Sequence, residues 1–277
     1  NLVMPTDITA NITPKALSWS SASTVANKVY DATTTATIAV GTLTGLIGTE
    51  QLGLSASGVF DDKHVGTRNV TVAYTLANGA NGGQAANYTL AGETLSANIT
   101  AKTLSVTGLS SADKAYDGTT VGAIVGNASL DSVVAGSGNS SDGKFYTGDV
   151  VSVNLTNATA TFNSKDVLTA NTVTFAGLAL SGADAANYVL ATHANDTTSR
   201  ITTRSLGITG NQIAAKTYDS TTSVASSAIT LGALSNLVGN EKLGYTATGA
   251  YDNANAGAHN VTLTYGLSDG ANGGLAS

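Results

Sequence analysis

The chain has 277 residues, of which 42% are apolar and 11% charged, with a net charge of −6 at pH 7 and no cysteine. That length holds two or three ordinary domains, and the charge balance excludes the basic footprint of a nucleic-acid or anionic-membrane binder. The missing cysteines exclude disulfide frameworks, thiolate zinc sites and cysteine nucleophiles. No run of about 18 apolar residues is present, so no membrane insertion is expected. No basic-then-apolar leader opens the chain, which places any export signal outside it. Threonine and serine supply 69 residues, against 31 glycines and two prolines. β-branched residues favour strands and the small polar ones favour turns, so the expected class is all-β.

Residues 1–14 resemble the stretch from Tyr88 to Thr100 and read as the last strand of a preceding copy. Residues 15–101 form the first full repeat. It opens on Ile12-Thr13-Pro14-Lys15-Ala16-Leu17, with Leu17 and Trp19 on one face of a strand, and continues to Lys28-Val29-Tyr30-Asp31 followed by Thr33-Thr34. Val70, Val72, Tyr74 and Leu76 then alternate along a strand with one buried face. Tyr88 and the strand of Leu95, Ala97 and Ile99 close the repeat. Leu104 has the opposite parity to Ile99, so the chain must bulge or change sheets between them.

The second repeat, residues 102–203, opens on Ile99-Thr100-Ala101-Lys102-Thr103-Leu104 and carries Lys114-Ala115-Tyr116-Asp117. The third, residues 204–277, opens on Ile201-Thr202-Thr203-Arg204-Ser205-Leu206 and carries Lys216-Thr217-Tyr218-Asp219. Two independent markers keep one spacing, which establishes the repeat. Residues 46–83 and 237–274 align without a gap and agree at half of their positions. The second copy has an extra Gly/Ser-rich loop around residues 135–149, as surface loops tolerate. A repeat of 90–100 residues with about seven strand-like runs predicts tandem immunoglobulin-like β-sandwiches joined into an elongated rod; β-grasp-like repeats are the alternative. The absence of a Gly/Ser linker at the joints predicts a stiff array.

Candidate chemistry is sparse. His64, His193 and His259 do not recur by position, and each reads as a solvated loop residue. No Gly-x-Ser-x-Gly elbow or recurring catalytic carboxylate pair is present, so no enzyme is expected. Asp61, Asp62, Asp252 and Asn255 lie in equivalent oxygen-rich turns and are the candidate calcium ligands, although their spacing fits no calcium loop and the expectation is no cofactor. In the three Lys-x-Tyr-Asp frames (Lys28, Tyr30, Asp31; Lys114, Tyr116, Asp117; Lys216, Tyr218, Asp219) the tyrosine should bury its ring. The aspartate should cap the turn and the lysine stay wet. An isopeptide bond from one of these lysines lacks an assigned partner. Eight of the ten tyrosines recur by position and read as core anchors. Tyr146, beside Lys144 and Phe145 in the extra loop, does not recur, and these three are the candidate ligand contacts.

The Lys-x-Tyr-Asp-(Gly/Ala/Ser)-Thr-Thr frame, with Leu180-Ser181-Gly182-Ala183-Asp184-Ala185-Ala186-Asn187-Tyr188-Val189-Leu190, resembles the YDG-type repeats of bacterial adhesins of the filamentous-haemagglutinin-like, two-partner-secretion kind. The resemblance covers nearly the whole chain. It implies a secreted or cell-surface protein whose repeats build a stalk supporting adhesion or biofilm cohesion. Only the second copy keeps the named glycine, Gly118; Ala32 and Ser220 stand there in the others. The Ala-Asn-Tyr segments also resemble the tyrosine device of immunoglobulin-like sandwiches, in which the Tyr88 and Tyr188 hydroxyls would bond back to an upstream loop. Expected partners are the neighbouring repeats and, as the alternative function, a glycan or host-surface ligand bound by the variable loops. Residues 1–14 are also expected to complement the third repeat of another molecule head to tail.

Overall fold

A computed structural model describes residues 9–137 and 139–276. Of the strand expected over residues 1–14, the first eight residues lie outside the described ones, and residues 9–14 form no strand. The described chain is nearly all β; its helical segments are single 3-10 turns at Ala85–Asn87, Ala185–Asn187 and Ser226–Ala228. It divides into two compact units, one of residues 1–107, 128–154 and 179–192, the other of 108–127, 155–178 and 193–277. The division runs through the second repeat. Each passage from one repeat to the next therefore lies inside a single unit.

In the first repeat the strands are β1 (Lys15–Ala16), β2 (Ser18–Ser21), β3 (Thr24–Val25), β4 (Lys28–Val29), β5 (Thr35–Ala36), β6 (Ile38–Ala39), β7 (Thr42–Thr44), β8 (Leu52–Phe60), β9 (Gly66–Asn78), β10 (Tyr88–Thr89) and β11 (Glu93–Thr100). Five of them form one sheet in the order β4-β11-β9-β8-β5. Within it β8, β9 and β11 are antiparallel neighbours, with Phe60 opposite Val70 and Leu95 opposite Val70 from the other side. β4 runs parallel to β11 along the free edge, and β1 runs parallel to β10. Alternation decides the faces: Val70 and Val72 on β9, Ala97 and Ile99 on β11 and Phe60 on β8 are buried on one side. Each large one contributes about 1.5–3 kcal/mol by leaving water. Trp19 is half-buried, its ring 4.8 Å from Tyr74.

The parity change has a direct cause. β11 ends at Thr100, and β12 (Lys102–Leu104) leaves that sheet to pair in parallel with Tyr188–Leu190 of the second repeat. One residue, Ala101, separates the two sheets. In the other unit, Thr159–Phe162 and Val173–Ala176 pair antiparallel around a core of Phe162, Val173, Phe175 and Ile201. The third repeat pairs Gly244–Tyr251 with Val261–Ser268, the same hairpin as β8 and β9.

Candidate functional site

The Lys-x-Tyr-Asp frame builds the same pin three times. Asp31 Oδ1 accepts the Thr33 backbone N–H and hydroxyl, both at 2.9 Å, which closes the turn. Lys28 Nζ donates to that oxygen at 2.8 Å and to the carbonyls of Thr33 and Thr35 at 2.7 and 3.0 Å. Lys114 and Asp117, and Lys216 and Asp219, repeat the pattern at 2.8 Å. Each ammonium also lies over an aromatic ring, 5.1 Å from Phe60, 6.0 Å from Phe162 and 5.4 Å from Tyr251. The expectation that these lysines stay wet is therefore corrected: their side chains are only 17%, 18% and 25% exposed, and each ammonium is spent on the aspartate and carbonyls of its own turn. The hydrogen bonds from the lysines and the threonines hold Asp117 and Asp219 down to about 2. The residue after each aspartate has positive φ, 61° at Ala32, 79° at Gly118 and 61° at Ser220. A Cβ at Gly118 would lie 2.7 Å from Val238 Cγ1, so at this position the second repeat leaves room for the third only as glycine.

The tyrosine of the frame leaves its own repeat. The Tyr30 ring is 0% exposed, edge-on to Tyr146 and Tyr188 of the second repeat at 5.9 and 5.4 Å. Its hydroxyl donates to Asp149 Oδ2 at 2.8 Å, and the Tyr188 hydroxyl donates to the same oxygen at 2.6 Å. Lys63 of the first repeat approaches the other oxygen at 3.5 Å. Burial first, and the Asp149 carboxylate second, push both hydroxyls above the ordinary tyrosine value.

Inside the other unit the second and third repeats are joined in the same way. Tyr116 donates to Glu241 Oε1 at 2.5 Å, and Lys165 Nζ lies 3.0 Å from both. Burial opposes the charge on Glu241, but the Tyr116 and Lys165 bonds outweigh it and hold the carboxyl below its usual range. Asp149 and Glu241 occupy one position in a turn, each N–H bonding the carbonyl three residues back, at Tyr146 and Val238. Glu50 and Ile47 form that turn in the first repeat. There the Tyr88 hydroxyl donates to Glu50 and accepts the Ile47 N–H at 3.1 Å; Tyr188 likewise accepts the Tyr146 N–H at 2.9 Å. A tyrosine and a lysine from one repeat thus meet an acid on the next. The joint is built twice.

The model of the YDG domain family matches residues 13–96, 100–198 and 202–274, three tandem copies that take in nearly the whole chain. The chain belongs to the YDG domain family. No curated protein and no solved structure matches it.

The remaining candidate residues of the YDG repeats lie elsewhere. Tyr146 is 3% exposed and belongs to the core of its unit, so its reading as a ligand contact is corrected: it fills the place of Ile47 and Val238 beneath the acid. Lys144 and Phe145 beside it are half-buried, and the Lys144 N–H bonds Asp142. Tyr218 departs from its recurrent partners. Its ring is 62% exposed, where Tyr30 is buried and Tyr116 half-buried, so the reading of a core anchor is corrected for the third copy. Of the calcium candidates, Asp62 is held by Arg68 at 2.9 Å and His64 at 2.5 Å, while Asp252 is held by His259 at 3.0 Å. Asn255 spends its carbonyl on His259, and Asp61 is exposed. Among the described residues no group of three or more acidic or histidine side chains converges as a metal site.

Sequence reasoning missed Lys102. Its side chain is 0% exposed, with Nζ 2.8 Å from Asp142 and 4.2 Å above the Tyr146 ring. The ammonium makes no aligned hydrogen bond, so the ion pair and the ring face hold it. The available signal was the basic residue that recurs at Lys15, Lys102 and Arg204 in the opening marker.

Proposed function

We propose that the chain is a non-catalytic structural spacer, a run of YDG repeats from the stalk of a secreted or cell-surface bacterial adhesin of the filamentous-haemagglutinin-like kind. In this role the repeats support adhesion or biofilm cohesion by holding a binding region at a distance. The observation that carries the reading is the doubled joint: the recurring frame tyrosine bonds the acid turn of the next repeat, Tyr30 to Asp149 and Tyr116 to Glu241. Residues kept for a ligand would converge on an open concavity with polar groups to spare. Here the Tyr30 and Tyr116 hydroxyls are spent on Asp149 and Glu241 and the frame lysines on the carbonyls of their own turns, so although Tyr116 and Glu241 border an open, largely apolar cavity, the tyrosine hydroxyl there is already taken up by the joint. No helix among the described residues is long and apolar enough to cross a membrane, and the proposal includes no helical anchor in this segment.

The test is a glycan array together with pull-downs on cellulose and chitin beads, using the whole chain. Background-level retention is expected. Saturable binding that disappears when residues 135–141 are deleted, a change that spares Asp142 and the core ring of Tyr146, would replace the spacer with the alternative, repeats that bind glycan through the second copy's loop.

A further inference from the structure

Among the described residues, Lys102 Nζ is the only buried side-chain nitrogen or oxygen without an aligned hydrogen bond. It lies 2.8 Å from Asp142 Oδ1, and among those residues no second carboxylate comes within ion-pair distance. Backbone pairing sets this approach. β12 pairs with Tyr188–Leu190, Lys102 opposite Tyr188; Leu104 also bridges Gly143 in parallel, and the Ser105 N–H bonds the Gly143 carbonyl at 2.8 Å. Asp142, the residue before Gly143, is thereby delivered beside Lys102. A Cβ at Gly143 would lie 2.5 Å from Ser105 Oγ, so glycine lets the loop come this close. The carboxyl is fixed in turn: Oδ1 accepts the Lys144 N–H at 2.9 Å and Oδ2 the Asn139 N–H at 3.2 Å. Donors held on both oxygens are placed to stabilise an oxyanion when a nucleophile adds to the carbon between them. The Tyr146 ring covers the ammonium at 4.2 Å, and the Lys102 side chain is 0% exposed, which keeps water from the pair.

We propose that Lys102 and Asp142 condense into an isopeptide bond inside the second repeat. One ammonium proton passes to the Asp142 carboxylate, and the freed amine adds to Cγ, forming the new N–C bond. A second amine proton then leaves with one carboxyl oxygen, so that oxygen departs as water. Nothing is oxidised or reduced, and no co-reactant is consumed. Holding amine and acid in contact offsets the cost of condensation, since positioned groups react as if at about 10⁵ M or above. Burial pushes Asp142 up, but Lys102 and the N–H groups of Lys144 and Asn139 hold it below the usual carboxylate range. The neutral pair is therefore the minor form, and the bond accumulates slowly after folding. Once formed, it closes residues 102–142 into a covalent ring, and a pull on the two chain ends bypasses residues 103–141. Such a bond suits a spacer under load, but its formation does not depend on that reading.

Intact-mass spectrometry of the whole chain, sampled over days after folding, tests it. The mass is expected to fall by one water, and a protease digest to yield one branched peptide joining the segments of Lys102 and Asp142. Lys102→Met and Lys102→Arg lack the nucleophilic amine and should keep their full mass; the arginine also keeps a positive charge for Asp142. The parent chain held unfolded in urea should keep its full mass too, because the two groups meet only in the fold. Asp142-Gly143 has a second route to the same loss, ring closure to a succinimide, which hydroxylamine cleaves and which needs no lysine. A water lost equally from Lys102→Met, or a product cleaved by hydroxylamine, overturns the proposal. So does a parent chain that is folded by circular dichroism and keeps its full mass throughout. Failure of the spacer reading registers separately, as saturable polysaccharide binding, whichever mass is found.

Discussion

Replacing Tyr30 with phenylalanine isolates the joint from the core that surrounds it. The ring is fully buried against Tyr146 and Tyr188, and phenylalanine keeps that packing, so no cavity forms. What is lost is one hydrogen bond of 2.8 Å to a carboxylate whose side chain is 4% exposed. Hydrogen bonds to charged groups contribute about 1.5–3 kcal/mol. Asp149 keeps Tyr188 at 2.6 Å and Lys63 at 3.5 Å, which places the expected loss near the lower end, about 1.5–2 kcal/mol. Urea unfolding followed by the fluorescence of Trp19, the single tryptophan, reads the correct unit because that ring packs on Tyr74 in the same repeat. A cycle with Asp149→Ala should give a coupling of about 1–2 kcal/mol, within the range for directly bonded partners. Tyr218→Phe is the control and, followed by circular dichroism because Tyr218 lies in the unit without Trp19, should stay within about 0.5 kcal/mol of the parent, as exposed substitutions do. Equal effects at positions 30 and 218, or a coupling near zero, would refute the reasoning, because the hydroxyl would then gain no more from Asp149 than from water.

Three further outcomes follow from the geometry. Gly118→Ala should cost about 1–2 kcal/mol from its φ of +79° and more from the 2.7 Å approach of Val238, while Ser220→Gly, at φ 61° on the surface, should be neutral or slightly stabilising, both read by urea unfolding followed by circular dichroism because these residues lie in the unit without Trp19. Asp142→Ala should destabilise by about 3 kcal/mol or more because it strands the buried Lys102 ammonium, whereas Lys102→Met, which removes that charge and keeps its volume, should cost clearly less by thermal unfolding. The pH dependence has two limbs. Asp117 and Asp219 are held down to about 2 in the fold, against an ordinary 3.8. The stabilisation from their pins is thus full above about pH 4 and drains as the pH falls towards 2, which carboxyl NMR titration can follow. Tyr30 and Tyr188 are held above 10, so their share is full below pH 10 and is lost as the pH rises beyond it, when the unfolded chain ionises first; ultraviolet absorbance at 295 nm reports that ionisation.

Much of this was legible in the sequence because repetition aligns residues without a structure. The β class, the three copies, the alternation of Val70 and Val72 and the turn-closing role of Asp31 follow from residue type and spacing alone. The parity change at Ala101 likewise marked the passage between sheets. The joint was not legible as a joint. Glu50 and Glu241 recur visibly, but their counterpart in the second copy is Asp149, at the edge of the inserted loop where length change hides the alignment. The same shift concealed that Tyr146 fills the place of Ile47, so a core ring read as a contact residue. Tyr218 shows the converse limit. Recurrence identifies a motif, but burial depends on what packs against it, and that partner lies in another repeat.

The measurement closest to the central claim is amide hydrogen exchange on Asp149→Ala. Two reporters flank the joint: the Tyr30 N–H, bonded to Thr100 at 2.8 Å in the first repeat, and the Tyr146 N–H, bonded to the Tyr188 hydroxyl at 2.9 Å in the second. If the tyrosine–carboxylate contact fastens the repeats together, both amides lose protection in the variant, and by comparable free energies. Loss confined to Tyr146, with Tyr30 as protected as before, would contradict the claim and leave Asp149 a residue of its own repeat alone.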